Sequence, residues 1–225
     1  MADDSQDTNH TSANDNAKVA AERLQGMRGK RGPLGDRMHA LGVKLGLAYN
    51  GSFFYPSEDR SILECVIIPY YQLSKEHQRI VFVGNDWYTQ GYVRMFQRKW
   101  FMTMDPNPDR SQYGHPENNA VDFAGNLERY VEPGSVDALF LNGIIGWGLN
   151  ELSAAEETFA AFARCLRPGA HLLIGWNDLV EHKPFALDDI KALKGNFKRR
   201  VFEPMGVEEY MIQNEWRHTY SFFER

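Results

Sequence analysis

The sequence is short of cysteine: among 225 residues there are only Cys65 and Cys165. They fall far apart, in separate predicted helices, so they make neither a disulfide framework nor a metal-ligand pair. They read as two buried thiols in a reducing compartment. Long apolar runs are absent as well. No stretch approaches the roughly 18 consecutive apolar residues of a membrane-spanning helix, which argues against a span. Residues 1–17 contain no hydrophobic segment of the secretory kind. A cytoplasmic location is the resulting expectation. No cluster of His, Cys, Asp and Glu has metal-ligand spacing, so no metal site is expected. No Ser stands in a G-x-S-x-G elbow, and Gly84 is not followed by the Gly-Lys-Ser or Gly-Lys-Thr of a phosphate loop.

Positive charge is missing from one end. The net charge is −5, and residues 1–17 hold Asp3, Asp4, Asp7 and Asp15 with no Lys or Arg. Such a polar, acidic segment reads as a disordered tail. The next stretch reverses the sign, with Lys18, Arg23, Arg28, Lys30, Arg31, Arg37 and Lys44 against Glu22 and Asp36. No nucleic-acid motif accompanies these cations, so a solvated helix face is preferred to a nucleic-acid surface. Residues 18–75 read as an N-terminal helical cap, interrupted at Gly32-Pro33. Its second helix runs from Ser61 to about Tyr71, with Ile62, Leu63, Val66 and Ile67 on one face and Asp59 or Ser61 as its cap.

From residue 76 to 225 the pattern alternates. Ile80–Val83 is a continuous apolar run ending at Gly84, as expected of a strand buried on both faces. Tyr88–Gln97 reads as a helix, Trp100–Met104 as the second strand, and Ala120-Val121 as a short third. Val136–Leu141 is the fourth strand, Ser153–Leu166 a helix stopped by Arg167-Pro168-Gly169, and His171–Gly175 the fifth strand. A helix near Leu187–Leu193 precedes two closing strands, Arg199–Phe202 and Tyr220–Phe223. Strands separated by helices imply a doubly wound α/β sheet. Ligands of such sheets lie at the carboxyl ends of the strands, which directs attention to Gly84-Asn85-Asp86, Asp105, Asp122-Phe123, Asn142-Gly143 and Trp176-Asn177.

Four segments in order resemble the class I S-adenosylmethionine-dependent methyltransferase family. They are Arg79–Gly84, Met104-Asp105-Pro106, Ser135–Gly148 (SVDALFLNGIIGWG) and Cys165–Trp176 (CLRPGAHLLIGW). His218–Arg225 is similar to that family's last antiparallel strand. The resemblance implies a Rossmann-like, doubly wound seven-stranded sheet with a C-terminal antiparallel hairpin. It also implies S-adenosylmethionine as cofactor and a small-molecule methyl acceptor, and it leaves room for a homodimer. Gly84, Asn85, Asp86, Thr89, Asp105, Asp122, Phe123 and Asn142 become the cofactor-binding candidates, with Asp105 on the ribose hydroxyls. Asn142, His115 and Tyr55 are the catalytic candidates; Tyr49, Tyr55 and Trp147 are the substrate-binding ones. Where the family carries an acid and three glycines, this chain has Phe82, Gly84, Asp86 and Tyr88, keeping only the first glycine. That departure leaves a non-catalytic binding partner or scaffold as the alternative. A nicotinamide-dependent oxidoreductase is disfavoured, because the dinucleotide fingerprint lacks its second and third glycines too.

Overall fold

A computed structural model describes residues 57–225. The acidic tail, the basic stretch, Tyr49 and Tyr55 lie outside them. The described chain begins with α1 (Glu58–Ile62), a π-helical turn at Leu63–Ile67 and α2 (Ile68–Leu73), which follow one another without a break. The strands are β1 (Arg79–Val83), β2 (Trp100–Met104), β3 (Asn119–Ala120), β4 (Val136–Asn142), β5 (Leu166–Asn177), β6 (Lys198–Arg199), β7 (Glu209–Met211) and β8 (His218–Glu224). Helix α3 (Gly91–Met95) links β1 to β2, α4 (Leu152–Cys165) links β4 to β5, and α5 (Lys191–Asn196) precedes β6.

The sheet order is β3-β2-β1-β4-β5-β8-β6, with β7 also paired to β8. Strands β1 to β5 are parallel; β8 is antiparallel to β5, β6 and β7. The chain moves outward from β1 to β3 and then returns to lay β4 on the other side of β1. The order therefore reverses between β1 and β4, where doubly wound sheets open a ligand crevice.

Both faces of the sheet are covered. Val81, Val83, Met102, Met104, Leu139, Leu141, Leu172 and Ile174 pack with Phe159 and Phe162 of α4. The alternate residues form the other face, where Phe82 pairs in register with Phe140, Phe140 with Leu173, and Leu173 with Phe222. Leu63, Ile67, Ile68 and Tyr71 from the first helical segments cover them, together with Tyr92 of α3. At the amino ends, Asp137 gathers three strands. Its Oδ2 accepts the amides of Gln78 and Arg79 (2.8 and 2.7 Å), and its Oδ1 meets Arg167 Nε at 2.6 Å. That is a structural role, taken by the second residue of β4.

Several sequence expectations need correction. Cys165 is buried but Cys65 is exposed, because it lies two residues from both Leu63 and Ile67 and so on the opposite side of the helical segment. The first helix starts after Ser57, whose side chain makes no capping bond, and neither Asp59 nor Ser61 caps it. The helix expected over Tyr88–Gln97 shrinks to Gly91–Met95, since residues 86–90 form a hydrogen-bonded turn. Pro168-Gly169 does not lie in a loop: β5 begins at Leu166, and its register against β4 shifts there, Val136 facing Leu166 but Ala138 facing His171. A bulge of this kind holds residues that cannot join the ladder. The outer closing strand is split into β6 and β7. Phe202 between them is buried and stacks on Phe222 at 4.5 Å. Among the described residues, no helix is long and apolar enough to cross a membrane, and no group of three or more His, Cys, Asp or Glu is placed to hold a metal ion.

The π-helical turn also carries a carboxyl group into the protein. Buried Glu64 accepts a hydrogen bond from Tyr92 Oη (2.9 Å), and Tyr92 Oη accepts one from Arg60 Nη1 (3.0 Å). Burial pushes the Glu64 carboxyl up to about 7 from 4.5, against the pull of Tyr92 and Arg60. A carboxyl whose folded value is raised stabilises the fold when protonated, so stability falls as pH rises from about 4.5 through 7. The interval corresponds to roughly 3 kcal/mol. We expect Glu64→Gln, which keeps the acceptor for Tyr92, to raise the melting temperature at pH 8 and to leave it nearly unchanged at pH 5. Thermal unfolding across that range checks this; an equal effect at both pH values would contradict it.

Candidate functional site

Gly84 is where β1 leaves the sheet. Its φ of 104° is a conformation open to glycine, and its amide donates to the Met104 carbonyl at 2.8 Å. A Cβ here would lie 2.8 Å from Ile144 Cδ1 and 3.2 Å from the Asn142 carbonyl oxygen. The exit of β1 thus runs so close to the loop after β4 that no side chain fits.

Beside it stands Asp105, at the end of β2 and only 5% exposed. Its Oδ2 accepts the Asn85 amide and its Oδ1 the Asn107 amide, each at 2.9 Å. Two amides leave lone pairs on both oxygens unused, since a carboxylate has about four acceptor positions. Asn85 is also buried. Its Nδ2 donates to Asn119 Oδ1 (2.8 Å), which further accepts from Thr103 Oγ1 (2.7 Å). Asn85 Oδ1 is buried without a hydrogen-bond partner. An orphaned buried acceptor costs on the order of 1–3 kcal/mol, which a donor on a bound ligand would recover.

Asp86 and Thr89 serve the turn between them. The Asp86 amide donates to Thr89 Oγ1, and Thr89 Oγ1 donates back to the Asp86 carbonyl, both at 2.9 Å. Asp86 Oδ1 accepts the Trp87 amide (2.8 Å), and Oδ2 faces Arg110 Nη1 at 3.2 Å. The Arg60 guanidinium lies over the Tyr88 ring, 4.1 Å from its centroid. Hydrogen bonds and one ion pair fix this loop.

Asn142 ends β4 beside His218, the first residue of β8. Its Oδ1 is 3.3 Å from His218 Nε2, and both residues are buried. Gly175 makes this contact fit, because a Cβ there would overlap Asn142 Oδ1 and come within 3.0 Å of His218 Nε2. Burial lowers His218 to about 4. At neutral pH it is therefore an uncharged imidazole that can orient the Asn142 amide.

Gly84, Asn85, Asp105 and Asn142 come together as the sequence suggests. The other described candidates have partners of their own. Asp122 takes bonds from the Phe123 amide (2.8 Å), Asn126 Nδ2 (2.7 Å) and Tyr130 Oη (3.0 Å), so the carboxylate heads the 3-10 turn Ala124–Arg129. The Asn126 bond is the chief cause holding it below the usual carboxylate range. Phe123 is 68% exposed. The ring of His115 faces Phe101, two residues back from Thr103 toward the amino end of β2, and its amide donates to Thr103 Oγ1. Trp147 sits in the loop after β4, where its Nε1 reaches Asn177 Oδ1 at 3.4 Å. Tyr49 and Tyr55 lie outside the described residues.

Sequence reading missed Asn119, His218 and Gly175, which touch the candidate residues only through pairing of distant strands. Polar residues in a strand that is buried along its length, such as His218, Thr219 and Ser221 in HTYSFF, are the one local signal.

No family model matches the sequence, and no curated protein matches it. Solved structures do share the fold. N-methyltransferase NodS from Bradyrhizobium japonicum WM9, in complex with S-adenosyl-l-homocysteine, superposes with a TM-score of 0.54 at 13% identity, covering 76% of this chain and 93% of that one. The PH0226 protein from Pyrococcus horikoshii OT3 gives 0.54 at 13% identity, covering 78% and 94%. A further NodS crystal structure gives 0.52 at 12%, covering 71% and 92%. The described chain has the Rossmann-like fold of the class I S-adenosylmethionine-dependent methyltransferases.

Proposed function

We propose that this protein binds S-adenosylmethionine across the carboxyl ends of β1, β2 and β4 and directs its methyl group to a small-molecule acceptor. One observation carries the reading: a buried carboxylate with unused lone pairs, Asp105, beside the partnerless Asn85 Oδ1, at the reversal point of the sheet. The residues present suit a nucleoside. Asp105 can accept from both hydroxyls of a ribose diol, and Asn85 Oδ1 can accept from one further donor. The shared fold with NodS, solved with S-adenosyl-l-homocysteine, supports the same assignment.

When bound, S-adenosylmethionine would supply an electrophilic methyl carbon for an acceptor lone pair to attack in line, the C–S bond breaking and S-adenosylhomocysteine leaving. Alignment accounts for much of the catalysis in such a step. In this chain Gly84 sets how closely β1 approaches the β4 loop, and His218 holds the Asn142 amide at the end of β4. A second reading, ligand binding without methyl transfer, is favoured by the side chains at the lost glycine positions, where Asp86 is tied to Arg110 and Tyr88 to Arg60.

Calorimetric titration with S-adenosylhomocysteine separates these readings from a site placed wrongly. We expect micromolar binding, weakened about ten- to a hundred-fold in Asp105→Ala, because charge-assisted bonds to a ribose contribute roughly 1.5–3 kcal/mol. The same variant should lose stability, since the Asn85 and Asn107 amides lose their acceptor. Unchanged affinity in folded Asp105→Ala would show that the nucleoside lies elsewhere. No binding by the folded wild type would leave no support for a methyltransferase. Binding with no methyl transfer to any acceptor would favour the second reading.

A further inference from the structure

Three loops at the carboxyl ends of β4, β5 and β7 each bring a ring to one place. Trp147, from the loop after β4, stacks on His182, from the loop after β5, with centroids 4.4 Å apart and planes 18° apart. His182 in turn stacks on Trp216, from the turn between β7 and β8, at 6.2 Å and 28°. The result is a ladder of three nearly parallel rings contributed by segments far apart in sequence.

The ladder is held at each rung. Asn177, the buried last residue of β5, accepts from Trp147 Nε1 (3.4 Å) and donates through Nδ2 to the Trp216 carbonyl (2.9 Å). Gly146 allows its loop to lie against the His182 backbone, where a Cβ would overlap the His182 carbonyl. Asn214 Oδ1 accepts the amides of Trp216 and Arg217 (3.0 and 3.1 Å). Arg217 adopts φ of 43° without being glycine, a conformation that surrounding contacts must impose. Those contacts are its bonds to Asp178, Nε to the carbonyl at 3.0 Å and Nη2 to the carboxylate at 3.1 Å.

Fixed in this way, the rings remain largely wet. Trp147 is 56% exposed, Trp216 43%, and neighbouring Val180 94%. Exposed indoles held in a rigid stack form an apolar surface that folding alone does not use. Its charge is also settled. Lys183 and Arg217, the cations beside it, both pair with Asp178 (2.6 and 3.1 Å), so the surface offers π faces rather than an anion site. It adjoins the candidate site directly, because Asn177 pairs in register with His218, which contacts Asn142.

We propose that the Trp147–His182–Trp216 ladder is the acceptor platform, and that the acceptor is a planar aromatic small molecule that stacks on it. This rests on the methyltransferase reading and names the substrate class for that site. Aromatic rings favour offset stacking at separations of about 4.5–7 Å; the His182–Trp216 pair lies in that range and the Trp147–His182 pair at its lower edge. A saturated ring of equal size has no matching face.

The test uses the full chain with S-adenosylhomocysteine present and two probes: 2-naphthol and its saturated counterpart decahydro-2-naphthol. Saturation-transfer NMR titration should show 2-naphthol binding at least five-fold more tightly than the saturated alcohol. Trp147→Ala should remove that preference, Trp147→Phe should retain it, and S-adenosylhomocysteine affinity should stay the same in both. Equal binding of the two probes, no binding of 2-naphthol, or an unchanged preference in Trp147→Ala would overturn the platform. So would a Trp147→Ala protein whose only change is a lower melting temperature, which would make the ladder a clamp between loops. Because the cofactor product is titrated separately, loss of its binding alone would remove the methyltransferase reading while leaving the platform standing.

Discussion

The arrangement of the strand ends depends on one carboxylate. Asp105 accepts the amides of Asn85 and Asn107 and so joins the exit of β1 to the exit of β2. Without it, the buried Asn85 N–H would lack a partner, and the turn after Gly84 would lose its attachment to the neighbouring strand. A glycine-rich turn can follow many paths because its backbone is permissive. This chain has Asp86 and Tyr88 in those places, and it obtains a single path from side-chain bonds: Asp105 to Asn85, Thr89 to Asp86, and Arg110 to Asp86. Gly84 itself is held by space, because a side chain there would collide with Ile144.

The same end of the sheet shows how a buried polar layer can sit on an apolar core. Phe82, Phe140, Leu173 and Phe222 line one face across four neighbouring strands. Above them Arg60, Tyr92 and Glu64 form a hydrogen-bonded chain, and Tyr220 Oη donates to the Asp59 carbonyl at 2.8 Å. A charge or hydroxyl removed from water is costly unless paired, and pairing ties the first helix to α3 and β8. The Asn142–His218 contact belongs to this polar layer, which brings the start of the described chain, the end of β4 and the final strand to one place.

What the sequence revealed, and what it hid, follows from the range of the interactions. β1, β2 and β4 were readable because strands buried on both faces are continuous apolar runs with polar or glycine ends, as in RIVFV before Gly84. The α4 helix was readable from the apolar spacing of Phe159, Phe162 and Ala163. Cys65 was misjudged because an apolar residue type alone does not decide burial: two residues from both Leu63 and Ile67, it falls on the outer side of the helical segment. Pro168-Gly169 signals a break in either a loop or a bulge, and only pairing with β4 decides between them. At the site, Gly84 and Asp105 were visible from their places after strands. Asp122 looked equivalent, but Asn126 and Tyr130 engage its carboxylate in a local turn. Asn119, Gly175 and His218 act through contacts between strands far apart in sequence, so their partners are set only by the pairing of the sheet.

The most direct measure of where the nucleoside sits is a set of backbone amide NMR spectra recorded as S-adenosylhomocysteine is added. Binding at the proposed place should shift the amides of Gly84, Asn85, Asp105, Asn107, Asn142 and Gly143, and leave those at the amino ends of the strands, such as Gln78 and Arg79, in position. Shifts centred away from the β1–β2–β4 ends, or none at all in a folded protein, would contradict the account.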